Sequence, residues 1–443
     1  MQTILIANRG EIALRVIRTC REMGINTVAI YSEGDTNSMH VKLADRSLCI
    51  GPAEPSKSYL DIPRVMSALE VSGAEGVHPG YGFLSENPRF AEIVRASGKV
   101  FIGPSPETLE LIGDKVKAKE VAKKVGLPLV PGSDGPVDLQ KALEVASKVG
   151  YPVVIKASTG GGGRGIRVVS NDRELREKFP LATQEAEASF GDGRLYIEKY
   201  LINPKHIEVQ VLADRYGNVI TLGERECSVQ RRHQKLVEEA PSTALTEEKR
   251  REIQALVADF CREIGYEGAG TVEFLLDQEG NFYFIEMNGR IQVEHPVTEM
   301  VYGVDLVEWQ IRIARGEKLN LPELQRRGHA VECRINAEDP RTFVPSPGKV
   351  EELYLPGGYG IRVDTHLYCG YVVPPFYDSL LAKLIAWGRT REEAIARALR
   401  ALEEFKVSGS GLKTNIEFHK LVLSSREFQQ GRQHIRFVEE LLL

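Results

Sequence analysis

Residues 153–169 read Val-Val-Ile-Lys-Ala-Ser-Thr-Gly-Gly-Gly-Gly-Arg-Gly-Ile-Arg-Val-Val. Gly160, Gly162 and Gly165 satisfy the spacing G-x-G-x-x-G, which taken alone indicates a dinucleotide-binding fold. That fingerprint needs a helix directly after the glycines. Here a β-branched run follows, Ile166 to Val169, and the next helix signal is Asn171-Asp172. The segment is therefore expected to be a strand, a glycine loop and a returning strand, a flap whose backbone amides close over phosphate oxygens. Lys156, on the entering strand, is placed to meet the same phosphates. A plain surface loop is the alternative, and four consecutive glycines followed by Arg164 and Gly165 weigh against it. No G-x-x-x-x-G-K-[ST] sequence occurs, so the nucleotide fold is not a P-loop one.

Just past the flap come Tyr196-Ile-Glu-Lys-Tyr-Leu and Lys205-His-Ile-Glu-Val-Gln-Val. Glu198 and Lys199 read either as a solvated connector or as the polar edge that recognises a purine, and His206 and Glu208 share one strand face. Residues 231–235, Arg-Arg-His-Gln-Lys, put four cationic or potentially cationic groups into five positions of a net-acidic chain, which favours a local anion site. Residues 270–276 and 281–287 are β-rich runs separated by Asp277, Gln278, Glu279 and Gly280, a hairpin signature. Pairing centred between Glu279 and Gly280 sets Glu273 opposite Glu286, with Cβ atoms about 5 Å apart. Two such carboxylates are stable together when a cation sits between them, and a hard divalent ion is the simplest one. Beyond Glu286, alternation along Glu-Met-Asn-Gly-Arg-Ile-Gln-Val-Glu lines up Asn288, Arg290, Gln292 and Glu294 on the same face. That face is expected to be a magnesium site continuing into an anion clamp beside a general base.

The chain opens with a buried strand at residues 3–7, a helix at 11–23 whose Ile12, Val16, Ile17, Cys20 and Met23 share one face, and a strand at 27–31. This βαβ unit predicts a parallel sheet running to about Gly113. Residues 128–136 are rich in proline and glycine and read as a hinge into a small β-rich unit that ends near Leu201. A third region begins near Gly328, and Thr390 with Glu393 marks a capping box before a helix striped by Ile395, Ala398, Leu402 and Phe405.

The length of 443 residues exceeds one usual core, so two to four subdomains are expected. A net charge of -5 makes nucleic acid and anionic membrane poor partners. Arg9, Glu11 and Arg15 interrupt any leader, and no apolar run is long enough to span a bilayer, so the cytoplasm is the expected compartment. Six scattered cysteines without a Cys-x-x-Cys pair speak against zinc and a disulfide framework. Cys227 lies next to the candidate site, but nothing in the sequence would activate it as a nucleophile.

Taken together, Ile6-Ala-Asn-Arg-Gly-Glu-Ile-Ala, His78-Pro-Gly-Tyr-Gly-Phe-Leu-Ser-Glu-Asn, the glycine flap, Gln230-Arg-Arg-His-Gln-Lys, Arg290-Ile-Gln-Val-Glu-His-Pro-Val-Thr-Glu and Cys333-Arg-Ile-Asn-Ala-Glu-Asp resemble the biotin carboxylase component of biotin-dependent carboxylases. The resemblance covers nearly the whole chain. It implies an ATP-grasp fold, α/β and α+β, with a Rossmann-like parallel-sheet domain at 1–113, an ATP-grasp domain at 114–315 including a small mobile lid at about 130–201, and a mixed β-rich domain at 328–443. ATP is then expected between the lid and the C-terminal half. The resemblance places Lys115, Lys156, Gly162, Gly163, Glu198, Lys199, Tyr200, Leu201, His206 and His233 at ATP, and Glu273, Glu286 and Asn288 at Mg2+ or Mn2+. It places Lys235, Arg290, Gln292, Val293 and Glu294 at bicarbonate, and Arg334 at the reaction centre where biotin is carboxylated through carboxyphosphate.

Two departures stand out: Gly289 occupies a position where the family carries a side chain, which is expected to loosen this strand, and residues 407–412 look extended. No Met-Lys-Met attachment sequence occurs before Leu443, so the implied biotin is held by a separate carrier protein, with carboxyltransferase subunits as further partners. The resemblance also implies a homodimer, with Arg15, Arg18, Glu22 and Asp378 near its interface. Among rivals, another ATP-grasp carboxylate ligase is disfavoured by Arg290 through Glu294 with Arg334. A nicotinamide oxidoreductase rests only on the rejected glycine spacing, and an idle nucleotide-binding or assembly protein is disfavoured by the intact carboxylates and cations.

Overall fold

Thr3–Ile6 is the middle strand of a five-stranded parallel sheet in the computed structural model, which describes residues 1–157 and 166–443. On one side of it lie Asn26–Tyr31 and Arg46–Cys49, on the other Gly76–His78 and Val100–Phe101. The chain order reverses between Thr3–Ile6 and Gly76–His78, the place where open parallel sheets form a crevice at their carboxyl ends. Asn8 ties the two loops there, its amide donating to the carbonyls of Pro79 at 2.8 Å and Tyr81 at 2.7 Å. The first helix is Gly10–Glu22, and Ile12, Val16, Ile17 and Cys20 are buried as its periodicity predicts.

An eight-stranded sheet carries most of the remaining chain. Its order is Phe282–Asn288, Gly268–Leu276, Lys205–Ala213, Val219–Arg231, Gln234–Ala240, His329–Asn336, Leu380–Gly388 and Ile361–Thr365. His329–Asn336 is thus hydrogen-bonded directly onto the preceding segment, Val237 opposite Cys333, and Leu380–Gly388 continues the sheet from it, Arg334 opposite Lys383. The hairpin read from residues 270–287 is present as neighbouring strands, its turn closed by Asp277, whose carboxylate accepts from the amides of Glu279 at 3.0 Å and Asn281 at 2.8 Å.

By compactness the chain divides into two units, one of Met1–Leu127, Lys205–Phe274 and Ile285–Leu443, the other of Pro128–Pro204 and Leu275–Phe284. In the second unit Val153–Ala157 pairs antiparallel with Ile166–Val169, Lys156 opposite Ile166, and with Leu195–Lys199 on its other edge. Among the described residues no helix intervenes before Asp172–Phe190, whose N-terminus is capped by Asn171. The strand, loop and strand reading therefore holds for the flanks, while residues 158–165, including Gly162 and Gly163, lie outside the described residues. Ala142, Ala146, Val153, Ile155, Leu175 and Ile197 form that unit's own core. Among the described residues no helix is long and apolar enough to cross a membrane, and all six cysteines are free.

Candidate active site

Within the larger unit, charged side chains from five strands converge on the interior face of the eight-stranded sheet. Arg225 is fully buried and donates to Glu208 Oε1 at 2.6 Å, Gln210 Oε1 at 2.7 Å, Thr298 Oγ1 at 3.0 Å and Thr271 Oγ1 at 3.2 Å. Lys235 Nζ donates to three carboxylates, Glu208 at 2.6 Å, Glu294 at 2.8 Å and Glu273 at 3.1 Å. Arg334 donates through Nε to Glu238 at 2.5 Å and through a terminal nitrogen to Glu294 at 2.9 Å. His206 Nε2 lies 3.0 Å from Glu273 Oε2. Ions so far from water persist only when cross-paired and hydrogen-bonded in this way. The pairing of Val219–Arg231 with Gln234–Ala240 is irregular between Glu226 and Val229 and again at Gln230, a local break that re-aims side chains beside the site.

The electrostatics follow from these pairs. Burial alone would raise the Glu294 carboxyl, but Lys235, Arg334 and Arg225 outweigh it and hold it well below the usual range. Glu273 behaves likewise, burial being overcome by Lys235 and His206. Burial pushes Glu238 up to about 7 despite Arg334. Cys227 has its thiol pushed well above its ordinary value by burial and then by Glu208, so it stays an inert thiol.

Glu294 caps the helix His295–Tyr302 with its backbone, which leaves its carboxylate free to face Lys235 and Arg334. The segment leading to it is pinned at each step. Gly289 N donates to Glu86 Oε1 at 2.8 Å, Arg290 Nε donates to Glu86 Oε2 at 3.0 Å, and Arg290 Nη1 donates to Gln292 Oε1 at 2.9 Å. Lys383, fully buried, donates to the carbonyl of Val293 at 2.8 Å. The strand ends at Asn288, so Arg290, Gln292 and Glu294 do not continue one strand face as expected; they lie on a bend and turn leading into the helix, and the expectation that Gly289 loosens the segment is not met. A Cβ there would lie 2.8 Å from Ile112 and 2.9 Å from Leu109, so glycine is what permits the close packing.

Whether these residues fit a divalent cation is tested by where their oxygens point. Asn288 Oδ1 at 2.5 Å and Glu273 Oε1 at 3.1 Å both accept from the one amide nitrogen of Gln292, and Glu286 Oε1 lies 3.4 Å from the Asn288 amide. The Glu273 and Asn288 oxygens thus converge on the Gln292 amide, with the Glu286 carboxylate beside them on the Asn288 amide; two carboxylates and an amide oxygen are a donor set suited to a hard ion, and they fit Mg2+ or Mn2+.

Several of the other residues read from the sequence belong to the smaller unit. Lys156 pairs with Glu198, and Lys199 Nζ donates to the carbonyls of Gly150 at 2.7 Å and Tyr151 at 3.0 Å, all within the smaller unit. Tyr200 and Leu201 follow, half-buried. Lys115 is exposed at the first turn of Lys115–Val125. Arg232 and His233 form a two-residue hairpin turn with φ of 50° and 65°, a left-handed pair rarely adopted without glycine or asparagine. Of the cationic run 231–235, only Lys235 enters the centre; Arg231 stacks on Phe343 with its guanidinium 4.3 Å from the ring centroid. Sequence reasoning passed over Arg225, Glu238, Glu86 and Lys383 as site residues and gave Glu208 no role beyond sharing a strand face with His206. The signal available was the unbroken polar run Glu224-Arg225-Glu226 inside an otherwise β-rich strand.

A parallel-sheet domain and an antiparallel sheet lined with carboxylates and cations, with a small three-stranded unit between them in the sequence, make the architecture of an ATP-grasp enzyme. Three sequence profiles match in succession: the biotin carboxylase N-terminal domain over residues 1–109, the carbamoyl-phosphate synthase L chain ATP-binding domain over 114–322, and the biotin carboxylase C-terminal domain over 332–440. The biotin carboxylase of Haemophilus influenzae is 56% identical over 100% of this chain and 99% of its own. The 2-oxoglutarate carboxylase small subunit of Hydrogenobacter thermophilus is 53% identical over 99% of this chain and 93% of its own. The biotin carboxylase domain of a thermophilic 2-oxoglutarate carboxylase, solved bound to bicarbonate, superposes with a TM-score of 0.95 at 50% identity, covering 100% of this chain and 99% of that one. The chain belongs to the biotin carboxylase family.

Proposed function

We propose that this protein carboxylates biotin at the expense of ATP and bicarbonate, through carboxyphosphate, as the first half-reaction of a biotin-dependent carboxylase. The observation that carries the reading is Glu294, a buried carboxylate fixed between Lys235 at 2.8 Å and Arg334 at 2.9 Å and adjoining Gln292 and Arg290. A base held between two cations sits where an anionic substrate binds, and each cation it shares with the substrate restores part of its basicity. Arg290 and Gln292 orient bicarbonate, Lys235 neutralises it, and Glu294 removes its proton as it attacks the terminal phosphate of ATP. Carboxyphosphate then yields carbon dioxide and phosphate, the phosphate takes the ureido proton of biotin, and Arg334 turns from Glu294 to stabilise the enolate that captures carbon dioxide. Closure of the lid over the phosphates protects carboxyphosphate from water.

ATP is assigned to Lys115, Lys156, Gly162, Gly163, Glu198, Lys199, Tyr200, Leu201, His206 and His233, with Val293 on the bicarbonate side. Glu273, Glu286 and Asn288 would hold Mg2+ or Mn2+, which supplies charge to neutralise phosphate oxygens. The functional segments are 1–113, 114–315 with a lid at about 130–201, and 328–443. Biotin arrives on a separate carrier protein, and carboxyltransferase subunits choose the final acceptor; among relatives of similar identity, one is named for biotin alone and another for 2-oxoglutarate. A homodimer in the cytoplasm completes the proposal. Arg18, Glu22 and Asp378 are exposed and available to such an interface, whereas Arg15 is buried against Glu299 at 2.7 Å and Asp305 at 2.9 Å and supports it from beneath.

The test is ADP release from magnesium ATP and bicarbonate, with and without biotin, for the intact protein and for Arg290→Ala and Glu294→Ala. Biotin-stimulated, bicarbonate-dependent release lost in both variants is expected; ATP binding without bicarbonate-dependent release, even with a biotinylated carrier, refutes the reading.

A further inference from the structure

Behind Arg334 the sheet buries two carboxyls that the reaction above does not use. Glu238 and Glu332 stand directly opposite each other on Gln234–Ala240 and His329–Asn336, which sets their Cβ atoms about 5 Å apart. Both are 0% exposed. Among the described residues, one of their four oxygens, Glu238 Oε1, has a hydrogen-bond partner, Arg334 Nε at 2.5 Å, while Glu238 Oε2 and both oxygens of Glu332 are buried without one. The groups facing the pair are Arg334, Lys383, which is also paired to Glu11 at 3.2 Å, Lys235, Glu294 and the thiols of Cys227 and Cys333.

Two facing carboxylates with three bare oxygens cannot both stay ionised at acceptable cost, because each uncompensated buried charge is penalised by several kcal/mol. Like charges at this range keep one proton between them. Burial drives both carboxyls upward, Glu332 the further, against the pull of Lys383 and Arg334. We propose that Glu238 and Glu332 form a positioning pair that shares one proton, sets the net charge behind Arg334, and so governs how freely its guanidinium leaves Glu294 for the substrate. The inference rests on the role assigned to Arg334 above and adds the element that regulates it. With one proton on the pair, Arg334 is divided between Glu238 and Glu294. With two, Arg334 settles on Glu294 and weakens it as a base. With none, two negative charges hold the guanidinium back from the charge developing on biotin. The rate of biotin carboxylation then follows the two proton steps of the pair as a unit.

The experiment measures the pH profile of biotin-dependent ADP release for the intact protein, Glu332→Gln and Glu238→Gln, together with thermal melting and the carboxylic-acid C=O stretch in difference infrared spectra. Glu332→Gln bars the doubly ionised state, so its alkaline limb is expected to move up by about one pH unit or more, with loss of a buried carboxylic-acid band. Glu238→Gln mimics the protonated member beside Arg334, and a rate at least tenfold lower and flat across the acid limb is expected. An alkaline limb for Glu332→Gln that coincides with that of the intact protein overturns the proposal, and this variant decides alone if Glu238→Gln fails to fold. Absence of any bicarbonate-dependent turnover in the intact protein would refute the functional reading instead, and the infrared band would still decide whether the pair holds its proton.

Discussion

Lys235 and Lys156 are built to opposite specifications. Lys235, in the larger unit, is 13% exposed and braced by three carboxylates; Lys156, in the smaller, is 40% exposed and paired with Glu198. The first is part of a centre assembled before any substrate arrives, and fixed dipoles and charges of this kind need no reorganisation during reaction. The second remains accessible, so its partner can be exchanged for a phosphate. On the proposed reading, the acid–base chemistry is paid for at folding, whereas nucleotide contacts are left to be made on binding.

The comparison can be broken most severely at Glu294. Glu294→Gln keeps the shape and removes the charge, and the rate of bicarbonate-dependent ADP release is expected to fall about 10²–10⁴-fold. Lys235→Met should damage folding as well as turnover, since Glu208, Glu273 and Glu294 lose a shared cation; a loss of about 3–5 kcal/mol in urea unfolding is expected.

The pH dependence of that unfolding sharpens the point, because the centre contains carboxyls displaced in both directions. Glu273 and Glu294 are held below their ordinary value of 4.5 in the folded chain, so their contribution is present above that pH and is lost as the pH falls through the folded values. Glu332 is displaced upward from 4.5, so it destabilises progressively as the pH rises above that value. Glu332→Gln should therefore raise unfolding free energy at pH 7 more than at pH 4, by about 1.4 kcal/mol for each unit of the relieved displacement. Equal effects at both pH values would show that this carboxyl is ionised in the fold.

Two milder changes complete the series. Gly289→Ala forces a Cβ against Ile112 and Leu109 and is expected to cost about 1–3 kcal/mol in urea unfolding. Lys156→Gln should leave unfolding within about 0–1 kcal/mol while raising the KM for ATP; a large loss of stability there would erase the distinction between the two lysines.

Local signals in the sequence carried far. Asn171 caps its helix, and the strands flanking the glycine loop pair as read. Thr390 Oγ1 accepts from Glu393 N at 3.2 Å as the capping box predicts, although the returning carboxylate bonds Arg389 N at 2.6 Å instead of Thr390. What stayed hidden was non-local. Nothing in residues 329–336 or 380–388 announces that these strands extend the sheet begun at Lys205–Ala213, because strand partners are fixed by contacts remote in sequence. For the same reason the roles of Glu208, Arg225, Glu238 and Lys383 were not legible. Alternation distinguishes two faces of a strand but not a face turned to water from one turned to buried countercharges.

The order of strands in the large sheet also fixes when the centre comes into existence during synthesis. Lys235 and Glu238 leave the ribosome early, yet Arg334 follows only with His329–Asn336, and Lys383, which holds Val293, with Leu380–Gly388. At about 5–20 residues per second, the emerging chain carries a half-built set of carboxylates for on the order of ten seconds. Until the last strands dock, that surface is acidic and hydrated, which keeps the nascent sheet edge from pairing with other chains.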